Sequence, residues 1–267
     1  MTPPKLETVL ASVEKDGIGL IKFNRPKNAN ALAPQMMSDL LKAFTWALHE
    51  PEVKVVVLTG EGKFFCAGMD LVGVPDEGPV LSDQAVDTLS QMHQLLIKAE
   101  KVFIAGVTGP AVGWGTSSIS LFDLVYSVPD AIFFTPFVKW GLCAEACSSY
   151  TFAKVMGRQK ASALILAGER MTPQELESAG LVTKVLPRDG FLEEVMKVAR
   201  RVAAQPEGAL RYSKNLMMEP IREGLLAANE RECEGLRERG RTSEPREAIA
   251  AFEREQKERR GAKLRTV

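Results

Sequence analysis

The chain has 267 residues, 45% hydrophobic and 25% charged, with Lys plus Arg equal to Asp plus Glu at 34 each. That composition excludes a largely disordered chain, and the charge balance leaves no overall field to draw it to nucleic acid or an anionic membrane. Cys66, Cys143, Cys147 and Cys233 form no CxxC pair and lie far from His49 and His93, which argues against zinc, and no run of about 18 apolar residues is present to span a bilayer.

Between Thr8 and Phe23 apolar residues alternate on either side of Lys15-Asp16-Gly17, a pattern that predicts a hairpin. Asn24 to Ala31 is a turn-rich connection carrying Arg25 and Lys27. Met37, Leu40, Leu41, Phe44 and Leu48 recur at helical spacing and predict a helix over 34–49. Val53 to Leu58 is a β-branched run suited to a buried parallel strand, and it leads into a small-residue loop, Gly60 to Leu71. Residues 73–87 are rich in Gly, Pro, Asp and Glu and read as a mobile surface loop. A helix is expected over 85–100, with Leu89, Met92, Leu95 and Leu96 on one side.

Val102 to Val107 then feeds Thr108-Gly-Pro-Ala-Val-Gly-Trp-Gly115, followed by a helix-like run. A strand that ends in a glycine turn and opens a helix presents backbone N–H groups with no partner inside the helix. Such a turn can hold an anion, either a phosphate or a transient oxyanion; the same glycines also serve simply to make the turn tight. Further segments follow at 121–127, 131–134, 158–166, 172–178 (with Pro173 just inside a Thr172 start) and 181–186. From Gly190 the pattern is helical only, with helices expected at 191–204, 207–217, 222–239 and 243–258. The expected organisation is an α/β core over 1–190, a helical segment over 191–260, and a flexible tail over 261–267.

Four segments together resemble the crotonase superfamily, the enoyl-CoA hydratase/isomerase family. They are Arg25-Pro-Lys-Asn-Ala-Asn-Ala-Leu32, Phe64-Phe-Cys-Ala-Gly-Met-Asp-Leu71, Gly109-Pro-Ala-Val-Gly-Trp-Gly115 with Asp123, and Ala167-Gly-Glu-Arg-Met-Thr-Pro-Gln-Glu-Leu176 through Gly180-Leu-Val182. The resemblance implies an α/β fold of repeated ββα units with a helical C-terminal segment. It also implies a homotrimer or dimer of trimers acting on acyl-CoA thioesters, with no metal and no cofactor beyond the coenzyme A of the substrate. By motif position, the backbone N–H groups of Met69 and Trp114 would grip the thioester oxygen as it becomes an enolate. A preorganised donor of that kind is worth roughly 3 to 4 kcal/mol. Arg25, Lys27, Ala29, Ala67, Gly68, Asp70, Leu71, Gly113, Phe137 and Trp140 are the accompanying substrate-binding candidates. Trp114, bulky where many relatives carry glycine, is expected to reshape the pocket.

Where hydratases of the family carry two glutamates, this chain has Ser117 and Phe137, neither able to act as a base at neutral pH. Glu145, in Gly141-Leu-Cys-Ala-Glu-Ala-Cys-Ser-Ser-Tyr150, instead resembles the single catalytic glutamate of the peroxisomal type of Δ3,Δ2-enoyl-CoA isomerase, with Ala144 and Ala146 replacing the usual proline and glycine. The resemblance therefore implies migration of a 3-enoyl-CoA double bond to the 2-trans position in fatty acid β-oxidation. An apolar surround from Phe137, Trp140, Leu142 and Phe152 would raise the carboxylate's proton affinity. From position alone, Glu145 also reads as a first-turn residue favoured by a helix dipole. Asp70 is expected to cap a helix beginning near Leu71, Asp123 to hydrogen-bond near a strand start, and Cys66, Cys143 and Cys147 to be small pocket residues. Other readings are a specialised biosynthetic enzyme of hydratase or lyase type, a non-catalytic acyl-CoA-binding member, and, from Gly113-x-Gly115, a nucleotide-dependent oxidoreductase. An intracellular, soluble protein of cytoplasm or peroxisome is expected; Ala262-Lys-Leu264 resembles a peroxisomal address but is not terminal.

Overall fold

The structure, a computed structural model, describes residues 2–70 and 77–265. Strands β1 (Val9–Glu14) and β2 (Ile18–Phe23) form the expected hairpin, with Val9 opposite Phe23 and Glu14 opposite Ile18. Its three-residue loop places Asp16 and Gly17 in the left-handed region, as a hairpin turn matching strand twist requires. Helix α1 (Pro34–His49) starts on a proline whose missing N–H costs nothing there, and it buries Met36, Met37, Leu40 and Phe44.

Strand β3 (Val55–Gly60) begins two residues later than the β-branched run. Val53 and Lys54 are turned aside because their N–H groups donate to Glu50 O and Gly17 O. Helix α2 (Asp83–Lys98) starts within the stretch expected to be loop, because Ser82 Oγ accepts from Ala85 N and caps it. The rest of that expected loop falls partly outside the described residues, as does Leu71.

Strand β4 (Val102–Val107) is followed by a short strand β5 (Ala111–Val112) before helix α3 (Trp114–Ser117), so the expected strand, turn and helix have one more strand between them. Strands β6 (Leu124–Ser127) and β7 (Phe133–Phe134) come next, then helices α4 (Ser148–Met156), α5 (Arg158–Ile165) and α6 (Pro173–Ser178) and strand β8 (Lys184–Val185). Thr172 starts α6 as its spelling suggests: Thr172 Oγ1 accepts from Glu175 N and the Glu175 carboxylate accepts from Thr172 N.

The main sheet runs β1-β2-β3-β4-β6-β8, parallel from β2 onward, and β5 pairs with β7 in a small second sheet. Both β3 and β4 are buried along their whole length, which is why they read as continuous apolar runs rather than alternating ones. Chain beyond Gly190 is helical: α7 (Phe191–Ala203) lies against β2, β3 and β4, and α8 (Glu207–Gly240) packs on α2 and precedes α9 (Glu244–Arg265). Two helices were expected where α8 is one. Pro220 removes a single ladder bond, to the carbonyl of Leu216, and it does so beside the exposed Leu216 and Met217, where water can satisfy the orphaned oxygen. Asp123 ties α8 to the sheet by accepting from Phe103 N at 2.8 Å and from the buried Lys214 ammonium at 2.7 Å.

Candidate active site

Two backbone loops meet at the C-terminal ends of β3 and β4. In the first, Ala67 N donates to Ala29 O, Leu32 N to Gly68 O and Asp70 N to Leu32 O. These bonds come from the residues on either side of Met69, so the Met69 N–H points the opposite way, as alternation along an extended chain demands. In the second loop Gly113 adopts φ +53° and ψ −118°, donates to Phe134 O, and accepts at its own carbonyl from Thr116 N and Ser117 N. Trp114 is then the first helical residue, and its N–H has no position four residues back to reach. Among the described residues neither Met69 N nor Trp114 N has a protein acceptor.

The loops pack backbone on backbone. A Cβ on Gly68, which has φ +79°, would lie 2.8 Å from Val112 O, and one on Gly113 would lie 3.7 Å from Gly68 Cα. A side chain at Gly68 would force the two loops apart, whereas one at Gly113 would only touch Gly68 at van der Waals distance.

Glu145 sits beside this junction. A Cβ on Gly113 would lie 3.9 Å from Glu145 Oε1 and 3.9 Å from the Phe137 ring. The glutamate is 3% exposed, and its Oε2 has no hydrogen-bond partner. Burial pushes its carboxyl up to about 8, and the neighbouring negative charge of Glu232 adds to the effect. A cavity of about 540 Å³ opens next to it, lined by Met69, Phe134, Phe137, Trp140 and Leu142 among others. Ala146 (φ +53°) and Cys147 (φ +61°) both take left-handed conformations without glycine. The turn is held because Cys147 N and Ser149 N donate to Glu232 Oε2 and Oε1 at 2.6 and 2.9 Å.

The remaining sequence candidates divide. Ala67, Gly68, Asp70, Gly113, Phe137 and Trp140 line the cavity with Met69 and Glu145. Arg25, Lys27 and Ala29 are not among its lining residues: Arg25 donates to Asp70 Oδ2 at 2.9 Å and to Ala31 O, Lys27 is exposed, and Ala29 braces the first loop through its carbonyl. The Asp70 carboxylate, expected as a helix cap, is thus ion-paired with Arg25. The Trp114 side chain does not reshape the pocket. It is fully buried away from it, edge-on to Phe23 and hydrogen-bonded to His93, because the helical start points the side chain into the core while its N–H faces out. Ser117 Oγ is turned back on Gly113 O at 3.2 Å.

Of the three cysteines expected in the pocket, only Cys143 lines it; Cys66 and Cys147 are buried behind the loops. Burial pushes the Cys66 thiol up to about 12, so it offers no thiolate. Phe152 is buried within α4 and is not a lining residue. Sequence reasoning missed Glu232, Asn229 and His93. A glutamate or asparagine among the many polar residues of a long helix gives no local signal.

Among the described residues no group of three or more His, Cys, Asp or Glu side chains could hold a metal ion, and no helix is long and apolar enough to cross a membrane. Fold and site together define an α/β protein in which two backbone loops, each with an unpartnered N–H, meet beside a buried carboxyl. The chain matches the enoyl-CoA hydratase/isomerase family over residues 13–261 and belongs to that family.

It is 38% identical over 239 residues to Enoyl-CoA delta isomerase 2 of Rattus norvegicus, covering 88% of this chain and 61% of that protein. To Enoyl-CoA delta isomerase 3, peroxisomal, of Mus musculus it is 34% identical over 241 residues, covering 89% and 76%. The chain therefore spans about three fifths of the length of the first of these relatives. A solved enoyl-CoA hydratase/isomerase from Pseudoalteromonas atlantica T6c superposes with a TM-score of 0.85 at 29% identity, covering 93% of this chain and 98% of that one.

Proposed function

We propose that the protein is a Δ3,Δ2-enoyl-CoA isomerase, in which Glu145 moves a proton from C2 to C4 of a 3-enoyl-CoA. The observation that carries this reading is a buried, cavity-lining carboxyl, raised to about 8, beside two unpartnered backbone donors, with Ser117 and Phe137 at the positions where a hydratase would need acids. The similarity to two proteins named enoyl-CoA delta isomerase supports it.

The chemistry follows from the geometry. The thioester oxygen sits between Met69 N and Trp114 N, and negative charge grows there as C2 loses its proton. Fixed donors aimed at that charge in a water-poor site lower the barrier by roughly 3 kcal/mol each. A carboxylate desolvated by its surroundings is a stronger base, so the burial that makes Glu145 costly to ionise also fits it to attack a weakly acidic carbon. The protonated Glu145 then returns its proton to C4 of the dienolate, and the double bond ends in conjugation with the thioester. Only one base is used and no water is added, so the exchange balances without a second acid.

Ala67, Gly68 and Gly113 shape the oxyanion junction, and Phe137 and Trp140 supply apolar wall to the acyl chain. The coenzyme A of the substrate is the only cofactor this chemistry needs. The helical segment from Phe191 is assigned to subunit association in a homotrimer or a dimer of trimers, a role supported by the exposed Tyr212, Leu216 and Met217 of α8. A place in fatty acid β-oxidation follows from the reaction.

The test is conversion of trans-3-hexenoyl-CoA to its conjugated 2-enoyl isomer, followed by absorbance of the conjugated thioester. Turnover by the wild type that falls at least about a thousandfold in Glu145→Gln is expected, since the variant has no base. No turnover by the wild type on short or long 3-enoyl chains overturns the proposal.

A further inference from the structure

Helix α8 reaches into both halves of the site at once. Asn229 and Glu232 are buried and three residues apart, so they face the same side of the helix. Asn229 Nδ2 donates to Ser90 Oγ at 2.9 Å, which leaves Asn229 Oδ1 to meet His93 Nδ1 at 2.8 Å. An amide oxygen can only accept, so the His93 proton sits on Nδ1. The lone pair of His93 Nε2 then accepts from Trp114 Nε1–H at 3.0 Å. Every polar atom along this chain from Ser90 to the indole is matched.

On the next turn Glu232 binds the turn that follows Glu145. Its two oxygens each accept one backbone N–H, from Cys147 and Ser149. These bonds stabilise the left-handed pair Ala146 and Cys147, whose conformation disfavours side chains and which directly follows Glu145. A carboxylate suits this place because both of its oxygens can accept; a carboxamide would set an N–H against an N–H.

We infer that Asn229 and Glu232 are positioning residues that keep the two reacting halves of the site in register from one helix, Asn229 acting through His93 on the Trp114 donor and Glu232 on the turn carrying Glu145. The inference rests on the roles proposed above for Glu145 and Trp114. Two features make the device steady rather than switchable. Burial lowers His93 to about 4, so its ring stays neutral and keeps its tautomer across neutral pH. The thiols of Cys66, Cys143 and Cys233, which also feel Glu145, are all raised by burial and stay uncharged. Asp70, Lys139, Arg170 and Glu253 line the same cavity, but Glu232 is the neighbouring charge that raises Glu145.

The experiment compares the wild-type chain of 267 residues with Glu232→Gln, Glu232→Asp and Asn229→Ala. Its readouts are the pH profile of kcat/KM for trans-3-hexenoyl-CoA and a carbon-13 titration of the Glu145 carboxyl, assigned by its absence in Glu145→Gln. Removing the Glu232 charge lowers the affinity of Glu145 for its proton, so in Glu232→Gln both the acid limb and the titration move down. Loss of aim lowers kcat about 10- to 100-fold with KM within about threefold. Glu232→Asp keeps the charge but not the reach, so its titration stays high while kcat falls. Asn229→Ala loses kcat about tenfold with the titration unmoved.

Unchanged kcat in both Glu232→Gln and Glu232→Asp overturns the Glu232 role, and an Asn229→Ala variant whose kcat is unchanged overturns the other. Nitrogen-15 spectra of the native protein bear on the Asn229 arm without any substitution: a neutral His93 protonated on Nδ1 is expected, and one protonated on Nε2 refutes it. Should the wild type show no isomerase turnover, the proposed reaction fails, while a His93 protonated on Nδ1 still upholds the Asn229 relay and a Glu145 titration lowered in Glu232→Gln still places the Glu232 charge beside Glu145.

Discussion

Replacing Glu145 by glutamine is expected to make the protein more stable at alkaline pH while it removes the base. Burial and the Glu232 charge raise the folded-state carboxyl to about 8, whereas in the unfolded chain it titrates as an ordinary solvated glutamate, near 4.5. The folded state thus holds this proton more tightly than the unfolded state does. Its stabilising contribution is present in full below about pH 4.5 and is lost as pH rises through about 8.

A shift of that size corresponds to roughly 5 kcal/mol at about 1.36 kcal/mol per pH unit. Relaxation and water entry on ionisation recover part of it, and the buried amide of glutamine, facing the place where Oε2 had no partner, costs about 1 kcal/mol. A net gain of about 2 kcal/mol in the variant at pH 9 remains, which for a chain of this size is about 4 to 8 °C in Tm. Near pH 5, where the wild-type carboxyl is mostly protonated, the gain is absent. The assay is a set of thermal melts of both proteins from pH 5 to pH 9. A difference in Tm that does not grow with pH refutes the reasoning, because it means that Glu145 ionises in the folded protein at no cost. The same carboxyl sets the activity profile: kcat/KM of the wild type rises with pH through about 8, since only the deprotonated form is a base.

Two further substitutions address the scaffold. Gly68→Ala places a Cβ 2.8 Å from Val112 O at a residue with φ +79°, so the two loops must separate. A loss of about 2 to 4 kcal/mol in urea unfolding and a fall in kcat of about 100-fold are expected, and unchanged kcat in the folded variant would show that the spacing of Met69 N and Trp114 N does not matter. Asp123→Asn leaves the Lys214 ammonium, 7% exposed, with carbonyl and amide oxygens but no charge partner. Because Asp123 is itself 24% exposed, the expected loss is about 2 to 3 kcal/mol, below that of a fully buried pair, read as a lower urea midpoint with unchanged m.

Much of the fold is legible in local spelling. The Lys15-Asp16-Gly17 turn between alternating runs, the helical spacing of α1, and the Thr172-Pro173-x-Glu175 start of α6 each contain their own physical cause within a few residues. Motif position also singles out Met69, Gly113 and Glu145, which line one cavity in the structure, because the loops that carry them are marked by glycine and small residues that allow close backbone approach. The errors fall where one local signal was set against a wider one. Pro220 spells a helix break, yet its neighbours continue the helix and the lost bond lies beside exposed residues. The Gly, Pro and acidic residues before α2 spell loop, yet Ser82 starts a helix inside that stretch.

By itself, then, the sequence determined most of the strands and helices, the two backbone loops and the absence of acids at positions 117 and 137, since these depend on residues close along the chain. Tertiary structure alone decided the state of the carboxyl and the support of the donors. Glu145 is raised by burial and by Glu232, which lies 87 residues away in sequence, and Trp114 is anchored through His93 to Asn229, 136 residues beyond that histidine. Desolvation and hydrogen bonding act through space at a few ångströms, so which helix supplies those partners is fixed only when α8 packs onto α2 and the turn before α4.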